Sequence, residues 1–355
     1  MKTSLTQVAK PQHPSQPRRN NRPRPKIPSS GQHPRRRFLR LAAGAAALPA
    51  VSRVARAQAY PSRPITMIVP IAAGSGLDVV ARVVAERMRA ALRQPIIIEN
   101  VGGADGSIGV GRAARATPDG YTLTLGSLST HVLNGAYYSL KYDVLNDFAP
   151  VSPLVTTPAF LFAKKTMPAE NLDELVVWLK ANPNKASAGV ITASFRLLTT
   201  FFQKETGTHF PLVPYRGATA RMQDLVAGQI DLAFAAPQPP LMRTGRIKAY
   251  AVTSDMRLAT APGIPTFGEM GLPTLSYSIW DGLFAPKGTP KEIIGKLNAA
   301  VVEALDDQAV RSRMVDLGYE LFPREQRTPE ALGALQKADA AKWWPIIKEF
   351  GIKAE

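Results

Sequence analysis

The chain of 355 residues contains no cysteine, and only two of its four histidines, His131 and His209, lie beyond residue 57. Thiolate chemistry, disulfide bonds and the common zinc sites are excluded. A G-x-S-x-G nucleophile elbow and a Walker A sequence are missing as well. No apolar run is long enough to span a bilayer; residues 41–51, rich in alanine, are too short and too weak. Acidic residues are missing from residues 1–57, which hold thirteen of the 44 lysines and arginines. The rest carries 31 basic against 27 acidic residues, so the net charge of +17 belongs largely to the N-terminus. A mildly basic remainder argues against nucleic acid as a partner. Without disulfides, the fold must rest on core burial, and this length leaves room for two domains.

The N-terminal segment reads as an export signal. Arg35-Arg36-Arg37-Phe38-Leu39-Arg40 matches the twin-arginine pattern R-R-x-F-L-K, with Arg40 in place of lysine. The short apolar stretch comes next, then small-x-small cleavage sites ending at Ala57 and Ala59. Residues 1–34, rich in proline, glutamine and arginine, have a disordered composition. Residues 1–59 are therefore expected to be a basic leader, and the mature protein to be periplasmic.

Residues 65–92 organise the rest of the chain. A β-branched run at 65–69 predicts a buried strand, Pro70 stops it, and a loop of small residues includes Ala72, Gly74 and Ser75. Leu77, Val80, Val84 and Met88 then recur at helical spacing. Ser75 and Asp78 fit a capping box. A helix starting from such a loop leaves N–H groups and a positive dipole end outward, a place for a carboxylate or phosphate. The same β-loop-α form returns around strands at 95–99 and 121–125, which predicts parallel pairing. Residues 149–165, with prolines at 150, 153 and 158, and residues 275–285 read as two extended crossings. Between them lies a second α/β unit with strands at 186–190, 210–213, 230–235 and 247–252. Helices are expected at 171–181, from 194 to 206 and at 218–227. Three more helices are expected at 290–305, 307–317 and 329–348. Two α/β units joined by two crossings imply a cleft at the strand ends, where open parallel sheets bind ligands.

Three small polar loops would face that cleft: 72–76, 126–131 and 190–194. Each could serve only as a tight turn; three together favour an anion site. The G-x-G-x-x-A sequence at 109–114 stands ten residues from the preceding strand, too far for a dinucleotide loop. Asp78 has no partner carboxylate or histidine that the sequence places beside it, so nothing positive argues for an enzyme. No metal site or cofactor is expected.

Taken in order, several motifs make the chain resemble the periplasmic solute-binding proteins of tripartite tricarboxylate transporters, the Bug or TctC type. They are Y-P-S-R-P-I at 60–65, D-x-x-A-R at 78–82, Glu99-Asn100 with its glycine loop, and P-D-G-Y-T-L at 118–123. V-P-Y-R-G at 213–217, G-Q-I-D-L at 228–232, A-V-T-S at 251–254, P-T-F at 265–267 and G-L-F-A-P at 282–286 complete the set. The resemblance implies an α/β, two-domain periplasmic-binding-protein (Venus-flytrap, type II-like) fold with two crossover strands. Domain 1 would comprise 60–157 plus 278–355 and domain 2 would comprise 158–277, hinged near 155–160 and 275–280. It also implies a monomer that captures a small organic anion, a carboxylate, for large and small membrane transporter subunits. Carried over by position, Ala72, Gly74, Ser75 and Asp78 would form one wall, flanked by Ser127, Thr130 and His131. Thr192, Ala193, Ser194 and Tyr215 would form the other, with Trp280 on the return crossing. Asp78 could equally be a cap, and Trp280 a hinge or core residue. Phe195 stands where the family often has histidine, and Ala235-Ala236-Pro237 where it often has an Asp-Asn pair, so the second wall is expected to be more apolar. The alternative function on the same fold is an extracytoplasmic sensor that presents its ligand to a receptor kinase.

Overall fold

The structure, a computed structural model, describes residues 60–258, 260–349 and 351. The basic leader, its twin-arginine motif and both cleavage sites lie outside the described residues. The chain begins with β1 (Ile65–Val69), α1 (Gly76–Leu92), β2 (Ile96–Asn100), α2 (Ser107–Ala114) and β3 (Thr122–Ser127). A wide turn at Ser129–Leu133 then leads into the single-turn α3 (Asn134–Tyr137). The crossing expected at 149–165 is β4 (Phe148–Pro158) followed by β5 (Phe160–Lys164). Next come α4 (Leu172–Ala181), β6 (Ala188–Val190), α5 (Ala193–Thr206), β7 (Leu212–Pro214), α6 (Ala218–Ala227) and β8 (Leu232–Ala235). A short helix not expected from the sequence, α7 (Pro239–Arg243), starts in the proline cluster and precedes β9 (Ile247–Val252). The return crossing is β10 (Ser278–Pro286), and α8 (Lys291–Asp306), α9 (Gln308–Asp316), β11 (Glu320–Leu321) and α10 (Pro329–Glu349) complete the chain.

The strands form two sheets, in the orders β11-β4-β10-β3-β1-β2 and β7-β6-β8-β5-β9. The recurrent β-loop-α units pair in parallel, β1 with β2 and β3, and β6 with β7 and β8. The crossing strands pair antiparallel, so both sheets are mixed. Side chains alternate between faces as a strand requires. Ile65, Met67 and Val69 enter a core with α1 and α8, whereas Ile68 enters another with α2 and α10. In β5, Phe160 and Phe162 pack toward α6, and Leu161 and Ala163 toward α4 and α5. The core containing α10 is continuous from one sheet to the other: Trp343 meets Phe201 and Tyr277 edge-on at 5.7 and 5.1 Å.

Local signals explain the element ends. Asn171 caps α4 by accepting from the Glu174 N–H at 2.9 Å, while the Glu174 carboxylate accepts from the Glu170 N–H at 2.7 Å. Gly207 and Gly228 end α5 and α6 in the left-handed region, with φ of 64° and 78°. At α1 the expected capping box is not formed. Ser75 is the N-cap but its side chain makes no cap bond, and Asp78 instead accepts from the Gly74 N–H at 2.8 Å. The G-x-G-x-x-A stretch lies within α2, where Gly109 lets the helix approach Val101 and Pro70; an added Cβ would stand 2.4 Å from the Val101 carbonyl oxygen.

The two crossings are tied by one buried side chain. Thr253 Oγ1 accepts from the Ala159 N–H, the Thr253 N–H donates to the Ala159 carbonyl, and the Tyr277 N–H donates to the Thr253 carbonyl, each at 2.9 Å. Thr253→Val keeps the shape but orphans the Ala159 N–H. An unsatisfied buried donor costs about 1–3 kcal/mol. Chemical denaturation should show a loss of that size; an unchanged midpoint would mean that water or backbone movement replaces the hydroxyl.

Candidate functional site

A cavity of about 850 Å³ lies between the strand ends of the two sheets. On the first-sheet side its wall includes Ala72, Ser75, Gly76, Leu77, Asp105, Ser127, Ser129 and Thr130. On the other side it includes Ile191, Thr192, Phe195, Arg196, Tyr215, Arg216 and Arg221. The crossing strands supply Thr157, Ile279 and Asp281. Both α1 and α5 begin at this wall, and their first-turn N–H groups have no helical acceptors.

Six residues expected at the site lie on this wall: Ala72, Ser75, Ser127, Thr130, Thr192 and Tyr215. Ser75 Oγ is buried without a hydrogen-bond partner. The Ser127 N–H donates to Thr130 Oγ1 at 3.0 Å, which fixes the end of β3. Six do not lie on it. Gly74 borders a neighbouring depression. Asp78 is turned into its own loop, where its carboxylate accepts from the Gly74 N–H, Arg82 Nε and Asn100 Nδ2 at 2.8–2.9 Å. Burial opposes its ionisation, but those hydrogen bonds outweigh burial and hold the carboxyl below its usual range. Asp78 therefore fastens the loop rather than facing the cavity.

His131 lies behind the wall. It is fully buried, its ring is stacked on Phe284 at 4.2 Å, and Nδ1 is 3.0 Å from Thr130 Oγ1. Burial depresses its pKa to about 3, so it is neutral at physiological pH. Ala193 and Ser194 are turned inward: Ser129 Oγ stands 2.5 Å from Ser194 Oγ and accepts from the Ser194 N–H at 3.1 Å. Trp280 points away because strand neighbours alternate. Ile279 and Asp281 face the cavity, while the Trp280 indole donates to Asp339 at 2.6 Å.

Several wall residues were not singled out from the sequence. Asp281 is buried, its carboxyl forms no hydrogen bond or ion pair among the described residues, and burial raises its pKa to about 8. Arg221 is buried too: Nη1 donates to the Phe234 carbonyl at 2.7 Å, and the guanidinium carbon stands 5.1 Å from the Phe195 ring centre. Burial lowers its pKa only to about 10, so it remains a cation. Asp105 accepts from the Tyr138 hydroxyl at 3.0 Å. Burial raises its pKa, while the Tyr138 hydrogen bond and the charge of Arg196 oppose the rise. The second wall is thus not simply more apolar. Phe195 lies on it, but Arg196, Arg216 and Arg221 line the cavity as well. With Asp281 protonated, the wall carries a positive excess at neutral pH. A signal for Arg221 exists in the sequence, since it lies beside Met222 and four residues before Leu225 on the buried face of α6. No metal-holding cluster of histidine, aspartate and glutamate occurs among the described residues.

Two α/β lobes, joined by paired crossing strands and enclosing a cavity at their strand ends, make this a solute-binding protein. A family profile described as tripartite tricarboxylate transporter family receptor matches residues 80–352. The chain belongs to that family, the TctC family of periplasmic solute-binding proteins. It is 36% identical over 320 residues to the UPF0065 protein in the TAR-I ttuE-ttuC' intergenic region of Agrobacterium vitis, covering 89% of this chain and 92% of the relative. The periplasmic binding protein BugD superposes with a TM-score of 0.78 at 35% identity, over 83% of this chain and 100% of BugD. MatC from Rhodopseudomonas palustris with bound malate gives 0.77 at 35% identity, over 81% of this chain and 100% of MatC.

Two buried groups set opposite limbs of the stability profile. The folded chain keeps the Asp281 proton up to pH about 8, while the unfolded chain releases it near the ordinary value of 3.8. Stability should therefore fall as pH rises through that window. Asp281→Asn should gain thermal stability over wild type progressively across the same range; equal melting curves at every pH would refute the burial argument. His131 acts in the other direction. Its unfolded form takes up a proton below pH 6.5 and its folded form only near pH 3, so its stabilising contribution is lost as pH falls through that interval. His131→Gln should flatten the acid limb in the same melting series.

Proposed function

We propose that this protein captures a small organic anion, a carboxylate, in the periplasm and hands it to the large and small membrane subunits of a tripartite tricarboxylate-type transporter. The observation that carries the reading is the charge of the cavity. Arg196, Arg216 and Arg221 line it, the starts of α1 and α5 open on it, and burial keeps Asp281 protonated. An anion there replaces lost hydration with fixed donors and cations. The malate bound by MatC supports a carboxylate as the class of ligand. Ala72, Ser75, Ser127 and Thr130 would hold it from one lobe and Thr192 and Tyr215 from the other. Gly74, Asp78, His131 and Ser194 support those contacts from behind.

In this reading the lobes comprise 60–157 plus 278–355, and 158–277, and they close about the paired crossings. The protein acts as a monomer, binds without turnover, and reaches the periplasm by the twin-arginine route through residues 35–40. A thermal-shift screen of mono- and dicarboxylates, aromatic acids and their neutral amides tests the ligand class. At a concentration near 100 times Kd, a true ligand should raise Tm by on the order of 5 °C. At least one acid should do so while its amide does not. Stabilisation by the amides alone, or by nothing in the screen, would defeat the proposal.

A further inference from the structure

Asp281 places a carboxyl group on the cavity wall that no protein group satisfies. It is 6% exposed, it lines the cavity from β10, and its carboxyl makes no hydrogen bond or ion pair among the described residues. Its partner across the sheet is Ser127, at the end of β3. Tyr319, just before β11, lies within electrostatic range of the Asp281 carboxyl. The Tyr319 hydroxyl in turn stands 2.5 Å from where a Cβ on Gly76 would be. Gly76 is the first residue of the seventeen-residue helix α1, and Ser75 before it has a buried Oγ without a partner. Asp281, Ser127, Tyr319 and the start of α1 thus form one corner of the cavity.

The charged groups around this corner are engaged elsewhere. Asp78 and Arg82 pair with each other behind the α1 loop. Asp105 accepts from Tyr138, and Asp339 accepts from Trp280 on the opposite face of β10. His131 is stacked on Phe284 behind the wall and is neutral. On β4 the cavity meets Thr157, which does not titrate. Arg196, Arg216 and Arg221 line the second lobe, yet burial is what sets the Asp281 pKa, upward to about 8. The corner therefore holds a neutral acid at physiological pH, beside the free N–H groups of a helix start. An ionised Asp281 would repel an anion seated at those N–H groups, whereas a protonated one offers it a donor. A carboxylic acid donating to a carboxylate makes a short, charge-assisted hydrogen bond.

We propose that Asp281 is a specificity residue of the site: as a neutral acid it donates a hydrogen bond to the carboxylate held at the start of α1, so that the anion is captured together with a proton on this side chain. This inference rests on the carboxylate reading above. Below the pH at which Asp281 ionises, the proton is already in place and binding takes up none. Above that pH, Asp281 regains a proton from solvent as the anion enters, so affinity falls as pH rises. A neutral amide accepts the same hydrogen bond more weakly, which adds to the preference for the anion.

Calorimetry on the full chain with acetate, malate, adipate and benzoate tests this, each titrated from about pH 6 to about pH 9.5 in two buffers of different ionisation enthalpy. For an acid that binds, affinity should be level up to about pH 7 and then fall, approaching roughly tenfold per pH unit above about pH 8. The dependence of the enthalpy on buffer should show proton uptake rising from about zero to about one per bound anion over the same range. Asp281→Asn keeps a donor but has no proton to lose, so its affinity should be level with pH and its proton uptake absent. Asp281→Leu removes donor and charge together. Its affinity should also be level, but weaker than that of Asp281→Asn by on the order of tenfold or more. Equal affinities of Asp281→Asn and Asp281→Leu would mean that Asp281 acts through repulsion alone. Binding by wild type without pH dependence or proton uptake would mean that the anion sits away from it. Either result overturns the proposal and leaves the carboxylate reading standing. If none of the acids binds at any pH, the carboxylate reading fails first and this inference falls with it. Should both variants fail to fold, the wild-type proton uptake still decides whether a proton accompanies the anion.

Discussion

The antiparallel pairing of β4 with β10 is the constraint on which the cavity depends. The pairing runs from Ser278 opposite Pro158 to Pro286 opposite Phe148. The chain leaves the first sheet at one end of this ribbon and returns to it there. Thr253 joins Ala159 to the segment before β10, so the two passages cannot separate without breaking three buried hydrogen bonds. The ribbon is also part of the cavity wall, through Thr157, Ile279 and Asp281. Movement about the crossings would therefore alter the shape of the cavity directly, with no need of a longer relay.

Much of this arrangement was legible because it rests on local periodicity. Apolar spacing located α1, glycines marked the ends of α5 and α6, and the proline-rich run at 149–165 was recognisable as a passage between units. The capping box at α1 failed for a tertiary reason: Asn100 and Arg82 draw the Asp78 carboxylate into a network that closes on Gly74, not on Ser75. The two residues of β11 are too few to show a period, and α7 begins in a cluster of prolines that reads as a loop.

The site was only half legible, and the parity of β10 explains one part of the failure. Both faces of this strand are covered by protein: Leu283 and Ala285 enter one core, Trp280 and Phe284 the other. Alternation therefore leaves no polar stripe to say which face meets the cleft. Trp280 drew attention as a large aromatic on a crossing, yet its neighbour Asp281 is the residue on the cavity wall. Small loops were the other misleading cue. Their residues divide between those that face the cavity, such as Thr192, and those that bind the lobes together, such as Ser194 against Ser129. Spacing of one or two residues cannot separate these roles, since the turn decides each direction.

Phe195 shows why composition misjudges the character of such a wall. An aromatic in a ligand loop reads as loss of polarity, and taken alone it is. Here it excludes water from one side of the Arg221 guanidinium and offers its ring to the cation. Lower local polarisability strengthens the pull of that cation on any anion that reaches it. The same desolvation acts on Asp281 with the opposite result, because an acid can escape the penalty by keeping its proton and an arginine cannot. Burial alone thus makes the cavity selectively positive, from side chains of both signs.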